Sequence, residues 1–227
     1  MNLKDPQLEA SLGAGPGASA QAAAMPSHPH ESAKAHVTGA ALYVDDVALP
    51  GDCLHVAVGG SARARARLLT VDLQAVRASD GVIDVMTAAD IPGENEIGAI
   101  LPGDSLLADQ EVEYVAQPIF AVAALSLKQA QLAAAKALIE YEILEPELDV
   151  DAALAKQSFV TPSRFWGDEQ IATIVGQSDH RIDQHLYIRG QEHFYLEPQA
   201  AYASPRDDGM FVATSSQHPG EVQSAIA

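Results

Sequence analysis

The stretch "PIFAVAALSLKQAQLAAAKALIEYEILE" does most to limit what this chain can fold into. "PIFAVAA" is a short apolar run of strand length with β-branched and aromatic members, which reads as a buried strand. Ser126 is placed to cap the next segment, "LKQAQLAAAKALIE", whose composition gives it high helix propensity. Ile139, Tyr141 and Ile143 then alternate as a further strand. Strand, helix and strand at such short spacing predict interleaved α and β structure. The alanines let the helix lie close to a sheet, because small side chains permit near approach.

The residues before it repeat the theme. Leu54, Val56 and Val58 alternate in "DCLHVAVGG", a half-buried strand. "RARLLTVDLQAVRAS" reads as a strand running into a short helix, with Leu73 and Val76 on one face. Val82 to Met86 forms another strand and meets Thr87, an N-cap with Asp90 three residues on, a variant of the capping box. Pro92-Gly93 ends that turn.

The flanks differ in texture. Residues 1–33 are rich in Ala, Gly, Ser, Pro and His, lack a sustained period, and bury too little to offset backbone entropy. They are expected to form a flexible arm, with His28, His30 and His36 solvated rather than metal-binding. Residues 149–164 read as a linker over the surface. Beyond it, apolar positions at Ile182, Leu186 and Ile188, at Phe194 and Leu196, from Ala200 to Ala203, and at Phe211–Val212 predict three strands. Asp207-Asp208-Gly209 is a hairpin turn signal. The final strand delivers Ser215, Ser216 and Gln217 to a corner, after which Pro219 opens a helix.

Net charge excludes some partners. With 13 Lys and Arg against 31 Asp and Glu, the chain carries −18. Such a surface repels nucleic acid and anionic membranes. No apolar run reaches the roughly 18 residues of a membrane span. The N-terminus lacks the pattern of a signal peptide. A single cysteine, Cys53, rules out a disulfide framework or a Cys-rich metal or iron–sulfur site, and suits a reducing cytoplasm.

"GQEHFYLEPQ" gathers Gln191, Glu192, His193, Tyr195, Glu197 and Gln199. A carboxylate and His193 would make an acid–base pair for a hydrolase. On a strand, however, neighbours face opposite ways, so Glu192 and His193 would not meet. Asp45-Asp46 and Asp207-Asp208 read as solvated turns. No phosphate-binding glycine loop, zinc-protease helix or nucleophile elbow is present. Gln217 is neutral, so it can only donate or accept hydrogen bonds.

Five segments together resemble the molybdenum-binding large subunit of xanthine dehydrogenase, bacterial two-subunit type, within the aldehyde oxidase/xanthine dehydrogenase family. They are "HVTGAALYVDDVALPGDCLHVAV", "VMTAADIPGENEIGAI", "EVEYVAQPIFAVAA", "GQEHFYLEPQAAYA" and "SSQHPGEVQ". The resemblance implies an α+β fold: an α/β hammerhead domain at 34–148, then at 165–227 the start of an incomplete α+β molybdopterin-binding domain. Three positions depart from the family pattern: Arg189, Ala116 (where a glycine is usual) and Gly220.

What the resemblance implies about function is specific. Gln217 would hydrogen-bond an oxo ligand of molybdenum held by molybdopterin, and neither a catalytic residue nor a metal ligand lies within these 227 residues. The expected reaction is hydroxylation of a purine carbon (hypoxanthine or xanthine to urate). Electrons would pass to FAD and 2Fe-2S centres on a partner small subunit. The chain is expected to be the N-terminal piece of a longer subunit, completed by C-terminal molybdopterin domains and inactive alone. The alternatives are a non-catalytic partner-binding module built on the hammerhead domain, an aldehyde oxidase-like member, and an unrelated hydrolase using Glu192, His193 or Glu197.

Overall fold

The computed structural model describes residues 29–98, 101–167 and 170–227. Most of the expected arm, with His28, lies outside the described residues. Helix α1, Ala33–Thr38, leads into a 3-10 turn at Val44–Asp46. The strands β1 (His55–Gly60), β3 (Val82–Thr87) and β5 (Pro118–Ala124) form one antiparallel sheet in the order β1-β5-β3. The strands β2 (Ala66–Asp72), β4 (Glu111–Val112) and β6 (Leu138–Ile143) form a second, ordered β4-β2-β6. Helix α2, Gln74–Arg77, joins β2 to β3, and α3, Leu127–Ala134, joins β5 to β6.

The buried strand lies at the centre of its sheet. Phe120, Val122 and Ala124 of β5 are almost wholly buried, together with Val85 of β3, Val112 of β4 and Val76 of α2. Sealing one such large side chain from water contributes roughly 1.5–3 kcal/mol. Leu73 and Val76 are both buried, as their spacing requires. Ser126 Oγ accepts from the Gln129 N–H at 3.3 Å, so the helix begins where its cap predicts. It ends at Ala134 rather than continuing through residue 140. Residues 138–143 pair with β2 instead, so the ladder overrides alanine propensity.

Strand β1 has the expected period and the opposite phase. Its inward positions are Ala57 and Gly59, while Val56 and Val58 are 57% and 56% exposed. The cause is space. A side chain on Gly59 would overlap the Phe120 ring, and a Cβ on Gly60 would sit 2.6 Å from the Ala116 carbonyl oxygen. Ala57, Ala124 and Ala130 form a small-residue cluster where α3 meets this sheet. The strand therefore turns its smallest residues inward.

The capping box at Thr87 forms as read. The Thr87 N–H donates to Asp90 Oδ2 at 2.8 Å, though it closes only a single 3-10 turn, Ala88–Asp90. Next to it, Glu96 accepts backbone N–H groups from Gly98 (2.7 Å), Gly103 (2.6 Å) and Asp104 (3.1 Å). The Gly98 bond foremost, then that of Gly103, holds its carboxyl below the ordinary value of 4.5.

The C-terminal third departs most from expectation. The linker contains a helix, α4 (Val150–Ala155), capped by Asp149 Oδ1 accepting from the Ala152 N–H at 3.0 Å. It closes at Gln157, which is left-handed at φ 55°, with Ser158 N–H bonded to the Ala153 carbonyl. Helix α5, Ile171–Gly176, follows. Among the described residues no strand forms over the apolar positions from Ile182 to Leu196. Ile182, Ile188 and Phe194 are 85%, 84% and 93% exposed. A strand needs a ladder partner and a surface to cover, and no described residue supplies either. The hairpin does form: β7 (Ala201–Arg206) and β8 (Gly209–Thr214) pair through the two-residue turn Asp207-Asp208. Helix α6, Pro219–Ile226, ends the chain.

Two outcomes are expected. Ala116 is left-handed at φ 70°, fixed there by its N–H bond to the Ser61 carbonyl at 2.8 Å. Ala116→Gly relieves that strain at some cost in unfolded-state entropy. A net gain of about 0.5–1 kcal/mol is expected in urea unfolding; a loss would mean the turn is not strained. Glu96, with its folded-state pKa lowered, stabilises the fold fully above pH 4.5 and loses that contribution as pH falls through the depressed value. Amide exchange at Gly98, Gly103 and Asp104, corrected for its intrinsic pH dependence, is therefore expected to quicken on acidification. Glu96→Gln is expected to flatten that response.

Candidate functional site: the strand-to-helix corner

β8 carries the chain to Thr214, where the ladder ends on a closed contact. The Ser215 N–H donates to the Ala200 carbonyl at 3.2 Å, and the Ala200 N–H donates to Ser215 Oγ at 3.2 Å. Thus both backbone groups of Ala200 are taken by one residue. The His218 N–H donates to Ser216 Oγ at 3.1 Å, which turns the chain toward α6. Pro219 opens that helix, where its missing N–H costs nothing. Gln217 sits between these two ties, exposed, and its side-chain amide hydrogen-bonds to no described residue.

A cleft of about 510 Å³ lies along the corner, lined by Gln199, Thr214, Ser215, Ser216 and Gln217 among others. Its side chains are neutral donors and acceptors. Amides and hydroxyls of this kind suit contact with anionic oxygen atoms and are poor direct ligands for a metal. Among the described residues no group of three His, Cys, Asp or Glu side chains is placed to hold a metal ion. The lining can therefore hydrogen-bond the oxygen atoms of a ligand but offers no set of side chains to hold a metal ion directly.

The acid–base cluster does not assemble. Glu192 Oε1 accepts from the Phe194 N–H at 3.4 Å, and His193 is exposed with no ion pair to either carboxylate. Glu197 instead reaches the other end of the chain, accepting the Val44 N–H at 3.3 Å. Asp46 caps its own turn through the Tyr43 N–H at 3.0 Å. His36 packs its ring on Tyr43, and the His30 ring nitrogen accepts from the Ser32 N–H. The sequence places Ser215, Ser216 and Gln217 at one corner but gives no sign that Gln199 lines the same cleft. The strand register would have placed it there, since Ala201 pairs with Thr214 and sets both flanks.

Two family models match successive parts of the chain. Residues 38–145 match the aldehyde oxidase and xanthine dehydrogenase a/b hammerhead domain, and residues 155–227 match the molybdopterin cofactor-binding domain. The chain belongs to the aldehyde oxidase and xanthine dehydrogenase family. It is 36% identical over 205 residues to aldehyde oxidase 4 of Cavia porcellus, covering 88% of this chain and 15% of that one. It is also 36% identical over 203 residues to xanthine dehydrogenase 1 of Arabidopsis thaliana, covering 87% and 15%. The aldehyde oxidoreductase of Desulfovibrio gigas superposes with a TM-score of 0.70 at 27% identity, over 83% of this chain and 23% of that chain. The chain thus spans a small fraction of these relatives' length. No helix among the described residues is long and apolar enough to cross a membrane.

Ser215→Ala tests the closure of the corner. It removes one acceptor and leaves the Ser215 N–H bond in place, so a loss of about 1 kcal/mol is expected. Amide exchange at Ala200 should quicken while Ala203 and Val212, paired deeper in the hairpin, keep their protection.

Proposed function

We propose that this chain is the N-terminal part of the molybdenum-binding subunit of a xanthine dehydrogenase-like hydroxylase, and that Gln217 donates a hydrogen bond to an oxygen ligand of the molybdenum. The observation that carries the reading is the unpartnered amide of Gln217, exposed on a corner that is tied down on both sides. When bound, the molybdenum–molybdopterin group supplies the redox and oxygen-transfer chemistry of purine hydroxylation. What this chain adds is a neutral donor. An amide stabilises an oxygen whose charge changes during turnover without displacing it and without adding a charge of its own. The Ala200–Ser215 pair and the Ser216 turn hold that donor in place, so little reorganisation is needed when the charge develops.

The remaining partners follow from the same reading. Trp166, Ile182, Tyr187 and Phe194 are each largely exposed, which leaves apolar surface for further molybdopterin-binding domains to cover. A 2Fe-2S centre lies outside these residues, since Cys53 is their one cysteine; we assign it, with FAD, to a partner subunit, and a cytoplasmic location suits that cysteine usage. An aldehyde oxidase and a xanthine dehydrogenase match at the same identity, so an aldehyde-oxidising member is the second reading.

The test is Gln217→Ala in the intact, molybdenum-loaded protein, assayed with xanthine and with an aromatic aldehyde. Removing a preorganised donor costs about 2.7–4 kcal/mol where charge develops fully. The charge here is shared with the metal, so a smaller loss is expected, roughly tenfold to a hundredfold in the reduction rate, at full metal content. An unchanged rate would remove the assignment of Gln217. Faster reduction by the aldehyde would replace the purine reading with the second one.

A further inference from the structure

The bond between Glu197 and Val44 joins residues 153 positions apart. Val44 opens the 3-10 turn Val44–Asp46, and the first N–H groups of such a turn have no partner inside it. The Tyr43 N–H is satisfied by Asp46, which leaves the Val44 N–H to the Glu197 carboxylate. Both residues are partly buried, so the bond is shielded in part from competing water. On the other side, Glu197 is close in sequence to the corner. Pro198 and Gln199 lead to Ala200, whose N–H and C=O are both held by Ser215. Gln217 is two residues further on. Pro198 restricts the backbone between the carboxylate and the corner, so a constraint at Glu197 passes through few free torsions before reaching Ser215.

We infer that Glu197 is a positioning residue: by accepting the Val44 N–H it fixes the segment that carries the Gln217 corner against the turn at residues 43–46. This gives the "GQEHFYLE" carboxylate a role that is neither acid–base nor metal-binding. What it supplies is an acceptor, so Glu197→Gln, which keeps Oε1, preserves the function, and Glu197→Ala abolishes it. The inference rests on the assignment of Gln217 to the molybdenum group.

The experiment compares Glu197→Ala, Glu197→Gln, Gln217→Ala and the Glu197→Ala/Gln217→Ala pair in the intact, molybdenum-loaded protein. Two quantities are read: the electron paramagnetic resonance signal of the half-reduced molybdenum, and amide exchange at Val44, Ala200 and Ser215. Glu197→Ala is expected to speed exchange at these three amides roughly fivefold to tenfold, the effect of one net hydrogen bond. Amides of β5 should be unaffected. It should also move the molybdenum signal as Gln217→Ala does, add nothing in the double variant, and be rescued by Glu197→Gln. A signal unmoved by Glu197→Ala, where Gln217→Ala moves it, overturns the inference. If Gln217→Ala leaves the signal unmoved, the assignment of Gln217 fails instead, and exchange at Ser215 decides alone: faster exchange upholds the tie, unchanged exchange overturns it.

Discussion

Strand β1 runs so close to its neighbours that Gly59 and Gly60 have no room for side chains against Phe120 and the Ala116 carbonyl. The larger part of the structure depends on that approach. It lets α3, with Ala130 and Ala133 inward, lie on the sheet, and it seals Phe120 at the centre of the core. It also reverses the face β1 presents, sending Val56 and Val58 outward. At the far end of the same contact, Ala116 must adopt a left-handed backbone to meet Ser61. A family member with glycine at that position would not carry this strain, so the departure noted in the sequence has a conformational cost.

The C-terminal part is built on a different principle. Its hairpin has little core: Tyr202 and Phe211 touch edge to face, and Arg206 lies over the Phe211 ring at 4.4 Å. Order comes from backbone closure, namely the β7–β8 ladder, the two hydrogen bonds between Ala200 and Ser215, and the long-range hydrogen bond from the Val44 N–H to Glu197. A corner held by hydrogen bonds rather than by packing can keep a polar side chain free at a defined place. Gln217 is that side chain.

The sequence made legible whatever depends on local chemistry. Thr87 with Asp90, Ser126 with Gln129, the Leu73–Val76 face and the Asp207-Asp208-Gly209 turn all involve partners within a few residues, and each forms. What depends on distant partners was hidden. The phase of β1 is set by the Phe120 ring some sixty residues away, and the short strand β4 exists only because β2 offers a ladder edge. The apolar alternation from Ile182 to Leu196 gave a strand signal that no described neighbour completes. The position of Gln217 at a corner was legible from its place between a strand and Pro219, while the role proposed for it came from family resemblance alone. The Val44–Glu197 tie carried no signal, since no periodicity links residues so far apart.

The central claim, that this corner presents an amide to the molybdenum group, is tested most directly by a crystal structure of the intact, molybdenum-loaded protein. The account requires the Gln217 side-chain nitrogen within about 2.7–3.2 Å of an oxygen ligand of the metal, with Ala200 and Ser215 still paired behind it. A Gln217 side chain turned away from the metal and bonded to protein or solvent would contradict it.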